Sequence, residues 1–108
     1  MPTSATSDPA TDPATEQLER VVIEIAGHVQ AVGFRYYACV AARKHSVVGW
    51  VRNDTEGTVS VMAEGVRERL EAFVEVLSKG PAAADVEEVD VRWESASGRF
   101  SRFTVEQY

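Results

Sequence analysis

Cysteine is almost missing from this chain, with Cys39 the single example in 108 residues. That excludes an intrachain disulfide framework and leaves no thiolate cluster for a metal. It also suits a reducing, cytoplasmic setting. Long apolar runs are lacking, so no segment reaches membrane-spanning length. The first residues have neither the basic start nor the apolar middle of a secretory signal. Positive charge is in deficit: 11 Lys and Arg stand against 17 Asp and Glu, a formal net charge of −6. A general nucleic-acid binder needs a basic face for phosphates, so neither nucleic acid nor membrane is an expected partner. Three of the acids, Asp8, Asp12 and Glu16, lie near the start of the chain. The deficit therefore does not exclude a local positive site elsewhere.

Proline is concentrated at one end: Pro2, Pro9 and Pro13 fall in the first 19 residues and only Pro81 lies beyond them. Residues 1–19 are rich in Pro, Thr, Ala, Ser and Asp, with Leu18 the only large apolar residue after Met1. Such a segment buries too little surface to offset its ordering entropy, and a disordered tail is expected there. Residues 20–108 then form one domain, the size at which a single core suffices.

From Arg20 onward the chain is strongly periodic. VVIEIAG alternates as a strand, with Val21, Ile23 and Ile25 on one side. FRYYACVAARKH carries Phe34, Tyr37, Ala38 and Ala41 at helical spacing, and Arg43 and Lys44 suit the negative C-terminal end of that helix. VVGWVRN and TVSVMAE read as strands joined by a short turn through Asp54 and Gly57. VRERLEAFVEVLSKG places Val66, Leu70, Phe73, Val74 and Leu77 on one face of a second helix that Gly80-Pro81 ends. VEEVDVRWES alternates again, and Phe103 and Val105 mark a short last strand. The order strand, helix, strand, strand, helix, strand, plus the short addition, predicts a ferredoxin-like α/β sandwich with an antiparallel sheet and both helices on one face. That fold hosts many functions and decides none.

The stretch most able to carry chemistry is GHVQAVGFR, Gly27 to Arg35. It joins the first strand to the first helix, where unpaired N–H groups and the positive helix end favour an anion. Gly27 and Gly33 permit backbone angles that turn successive amides toward one ligand. Arg35, in the first helical turn, adds a forked, permanent charge. Neither a P-loop nor a GxGxxG dinucleotide pattern is present. On the residues alone, an anion cradle and a plain tight connection with a surface arginine both remain open.

GHVQAVGFR resembles the acylphosphatase signature G-x-V-Q-G-V-x-F-R. GWVRNDTEGTVSVMAEG resembles the second signature of that family, an aromatic residue, Val, any residue and Asn followed by a turn glycine. The resemblance spans residues 20–108 and implies the same sandwich fold. It further implies metal-independent hydrolysis of acyl phosphates to a carboxylate and phosphate by a monomer without organic cofactor. Acetyl phosphate, carbamoyl phosphate and 1,3-bisphosphoglycerate are the substrates the resemblance implies, without a choice among them. Arg35 matches the arginine that grips phosphate, together with the amides of Gly27, His28, Val29, Gln30, Ala31, Val32 and Gly33. Asn53 matches the asparagine that orients the attacking water. If the second strand runs beside the first, its end lies near Arg35. Ala31 departs from the motif glycine, at a cost of roughly 1 kcal/mol if the backbone there is left-handed. Ser46 likewise stands where glycine commonly ends the first helix.

A non-catalytic anion-binding module of the same fold is the alternative reading. An RNA-binding sheet of this topology needs exposed aromatics on its central strands, and VVIEIA and TVSVMA offer none. The other candidates have structural readings. His28 is expected to face solvent, and His45 to serve as a cation at the helix end. Cys39 is an inert thiol without an activating partner. Asp54 makes a turn-stabilising Asx contact. Trp50 and Trp93 pack on strands, and the Glu-rich runs at 64–75 and 85–94 are solvated faces.

Overall fold

The computed structural model describes residues 17–107, and most of the stretch expected to be a tail lies outside them. Seven elements follow in order: β1 (Leu18–His28), α1 (Phe34–Lys44), β2 (Val48–Asn53), β3 (Val59–Val66), α2 (Arg67–Lys79), β4 (Asp85–Ser95) and β5 (Phe103–Val105). They build the expected ferredoxin-like sandwich, with sheet order β4-β1-β3-β2-β5.

Alternation explains the sheet. Val21, Ile23 and Ile25 of β1 are completely buried, as are Val59, Val61 and Ala63 of β3 and Val51 of β2. Ile23 stands opposite Val61 on one side and Val91 on the other, so the apolar rows are in register. Helix α2 sets Leu70, Phe73 and Leu77 against these rows, all fully buried. Each such side chain stabilises the fold by about 1.5–3 kcal/mol. Helix α1 contributes Phe34 and the small Ala38, Ala41 and Ala42, which let it lie close over β2 and β5. Gly80, at φ 72, ends α2 as expected.

Five expectations require correction. Strand β1 starts at Leu18, two residues inside the expected tail, because Leu18 and Glu19 pair with Val66 and Gly65. That pairing also places Val66 in β3 rather than on the face of α2. Strand β2 does not run beside β1: β3 lies between them, with the short β2–β3 hairpin holding β2 on one edge of β3 and β1 paired on the other. The sheet is mixed, because β5 joins β2 in parallel, with Gly49 opposite Phe103 and Val51 opposite Val105.

The fifth concerns Glu64, within a run read as a solvated face. It is 1% exposed. Arg20 Nε donates to its carboxylate at 2.8 Å, and the N–H groups of Ser97 and Gly98 donate at 2.8 and 3.0 Å. Burial pushes the Glu64 carboxyl up, but the hydrogen bonds from Ser97, Arg20 and Gly98 outweigh it and hold it below the usual carboxylate range. A buried carboxylate is tolerated because its lone pairs are satisfied.

Candidate active site

Helix α1 starts without the groups that usually neutralise a helix N-terminus. Gly33 is its N-cap, no side chain caps it, and its first turn contains no acid. The equivalent turn of α2 carries Glu68. The first-turn amides of α1 thus leave a partial positive charge facing outward. Ala31 and Gly33, two positions apart, are both left-handed, with φ of 61° and 82°. Such kinks make a loop curl so that its amides face one side. Among the described residues, the N–H groups of Ala31, Val32 and Gly33 donate to no protein acceptor in the turns and loops. Gly33 needs its lack of side chain for backbone angle alone, since a Cβ there would meet nothing within 4 Å.

Beside this loop is a cavity of about 410 Å³, a volume in the range that holds a small organic ligand. Val29, Ala31 and Gly33 of the loop line it, with Arg35 from α1 and Asn53 from the end of β2. Asn53 reaches it although β3 separates β1 from β2. The reason is Gln30, whose Nε2 donates to the carbonyls of Asp54 at 2.8 Å and Thr58 at 2.9 Å. One side chain thereby ties the strand–helix loop to the β2–β3 turn immediately after Asn53. The structure therefore brings Arg35 and Asn53 together with three loop residues.

It does not bring the remaining loop candidates to the cavity lining. Gly27, at φ 129, lies at a register shift between β1 and β4, where a Cβ would collide with the Asp85 carbonyl. Its glycine requirement comes from the approach of strands, not from the loop. His28 ends β1 opposite Asp85 and is exposed. Gln30 turns toward the hairpin, and Val32 packs partly buried against the core.

Residues that the sequence did not mark as site candidates also line the cavity: Tyr36, Cys39 and Arg43 from α1, and Val105 from β5. Arg35, Cys39 and Arg43 are four residues apart and so share a helix face, a pattern visible in the sequence but overshadowed by the reading of Arg43 as a helix-end cation. Burial pushes the Cys39 thiol up, against the opposing pull of Arg43, so the thiol stays protonated and unreactive.

Asp54 does not line this cavity. Its carboxylate accepts from the hydroxyls of Thr58 and Ser60 and from Arg52 Nε. Burial pushes it up, and those hydrogen bonds outweigh the effect and leave it below the usual carboxylate range. It organises the hairpin through side chains, not through the backbone contact of the expected Asx turn. Among the described residues no group of three or more His, Cys, Asp or Glu is placed to hold a metal, and no helix is long and apolar enough to cross a membrane.

Sheet order, uncapped helix and cavity define a ferredoxin-like sandwich whose first strand–loop–helix junction borders a cavity. A family model described as Acylphosphatase matches residues 21–105. The acylphosphatase of Salinibacter ruber is 45% identical over 87 residues, covering 81% of this chain and 92% of that relative. The acylphosphatase of Thermococcus kodakarensis is 46% identical over 79 residues, covering 73% of this chain and 87% of that one. The crystal structure of acylphosphatase from Bacillus subtilis aligns with a TM-score of 0.79 at 33% identity, covering 82% of this chain and 98% of that one. The chain belongs to the acylphosphatase family.

Proposed function

We propose that this enzyme, an acylphosphatase, hydrolyses the carboxyl–phosphate bond of acyl phosphates in the cavity between the 29–33 loop and the end of β2. The observation that carries this reading is the meeting of Arg35 and Asn53 beside an uncapped helix N-terminus. The phosphoryl oxygens accept from the loop amides and the Arg35 guanidinium, whose fork matches phosphate geometry. The Asn53 amide holds a water in line with phosphorus, donating and accepting through its two ends. That water attacks phosphorus and the bond from phosphorus to the carboxyl oxygen breaks. The acyl half leaves as carboxylate, and the protons of water pass to phosphate and solvent.

No strong base is required, because a carboxylate is a good leaving group and neutral Asn53 contributes orientation rather than basicity. Fixed dipoles around the phosphoryl group carry most of the acceleration. The substrate is a small acyl phosphate, and the protein acts as a monomer in the cytoplasm without metal or organic cofactor. A continuous assay with benzoyl phosphate in excess EDTA tests the reading. Turnover undiminished by the chelator is expected. Absence of turnover would leave a non-catalytic anion-binding module in its place.

A further inference from the structure

The cavity contains more positive charge than gripping one phosphate requires. In a chain with a net charge of −6, its lining includes two arginines, Arg35 and Arg43, and no acid among the described residues. Arg43 makes no salt bridge among the described residues. It stands eight positions after Arg35 on α1, about 12 Å along the helix axis at 1.5 Å per residue. Long helical side chains lean toward the N-terminus, so from Arg43 that lean is toward Arg35. Between the two arginines, Cys39 supplies a buried, uncharged floor, while the exposed Tyr36 and Val105 flank the opening. The layout is therefore one cationic end at the loop, an apolar middle and a second cationic end.

We infer that Arg43 is a specificity-determining residue that receives an anionic group on the acyl half of the substrate, so that the enzyme favours acyl phosphates carrying a second negative charge about one ring length from the first. This rests on the reading above that the phosphoryl group lies at Arg35. A helix-end cation interacting only with the backbone dipole would affect stability and leave substrate preference alone, and that difference makes the inference testable.

The comparison uses two rigid substrates of similar shape, 4-carboxybenzoyl phosphate and 4-methylbenzoyl phosphate, in the native enzyme and in Arg43→Gln and Arg43→Lys. Taking each variant's ratio of kcat/KM for the two substrates cancels their intrinsic reactivities. In Arg43→Gln the ratio falls about fivefold, the scale of a partly exposed ion pair, through loss on the carboxylated substrate alone. Arg43→Lys retains part of the preference, and rising salt shrinks it in the native enzyme. An unchanged ratio in Arg43→Gln overturns the inference. The non-hydrolysable phosphonates of the same two acids, titrated by calorimetry, test Arg43 through affinity alone. If the native protein hydrolyses neither substrate, the catalytic reading fails. The phosphonate pair still decides the role of Arg43: a fivefold affinity difference lost in Arg43→Gln supports it, and equal affinities refute it.

Discussion

The loop at 29–33 and the loop at 96–98 offer an anion the same kinds of donor, but among the described residues only the second is met by an acid. At the second, the N–H groups of Ser97 and Gly98 and the guanidinium of Arg20 converge on Glu64, with Gly98 left-handed at φ 73°. At the first, Gly33 has a closely similar φ of 82°, the amides stand at an uncapped helix end, and Arg35 lines the cavity. Among the described residues, no acidic side chain lines it. Backbone nest plus arginine is thus not in itself a functional signature. Where the chain supplies the anion, the arrangement fastens one loop to a strand. Where it does not, the same donors are available to a substrate.

Removing one charged member from each loop's partnership separates these uses. The largest effect is expected from Arg35→Ala, which should lower kcat/KM for benzoyl phosphate by 3 kcal/mol or more, roughly a hundredfold. Arg35 is exposed and makes no salt bridge among the described residues. Its loss should therefore move the urea unfolding free energy by no more than about 0.5 kcal/mol. Retained turnover would remove Arg35 from the site.

Glu64→Gln should show the opposite profile. The amide keeps the shape but loses the charge that Arg20, Ser97 and Gly98 address, a change of about 2 kcal/mol in stability. Activity below the unfolding transition should be unaffected. The pH dependence has a definite sign. Glu64 and Asp54 both have folded-state pKa values below their unfolded ones, and the unfolded values are about 4.3 and 3.9. Their contribution is complete above those unfolded values and is lost as pH falls through the lower folded values. Urea midpoints measured from pH 7 downward should fall on the acid side, and more shallowly in Glu64→Gln. Equal acid slopes would assign the dependence elsewhere.

The contrast also explains what the sequence could and could not disclose. Strand and helix order was legible because each element's apolar period is local: the burial of Val21, Ile23 and Ile25 is written in alternate positions. Arg35 and Asn53 were legible because two motifs mark them. The β2–β3 pairing was legible from the short turn between them, but the parallel β2–β5 pairing was not, since alternation suits any neighbouring strand. Glu64 was hidden for the same reason. It looks like its acidic neighbours, and its partners lie 44 positions back at Arg20 and 33 positions on at Ser97. The role of Gln30 depended on where the β2–β3 turn falls in space, which no local pattern states.

The smallest expected effect is the finest test of the open loop. Among the described residues, two that are not glycine occupy the left-handed region, Ala31 at φ 61° in the loop and Ser46 at φ 57° after α1. A residue with a Cβ is strained there by roughly 1–2 kcal/mol, and the greater unfolded-state entropy of glycine returns part of that. Ala31→Gly and Ser46→Gly should therefore each stabilise the fold by about 0.5–1 kcal/mol, read as a higher urea midpoint. Ser46 does not line the cavity, so its variant should leave kcat/KM unchanged and calibrate the backbone effect. Ala31 does line it, and glycine there should keep activity equal or raise it, because the φ that aims the amides suits glycine without strain. If Ala31→Gly gained the same stability but lost activity severalfold, the alanine methyl would be shaping the cradle, and its strain would serve the site.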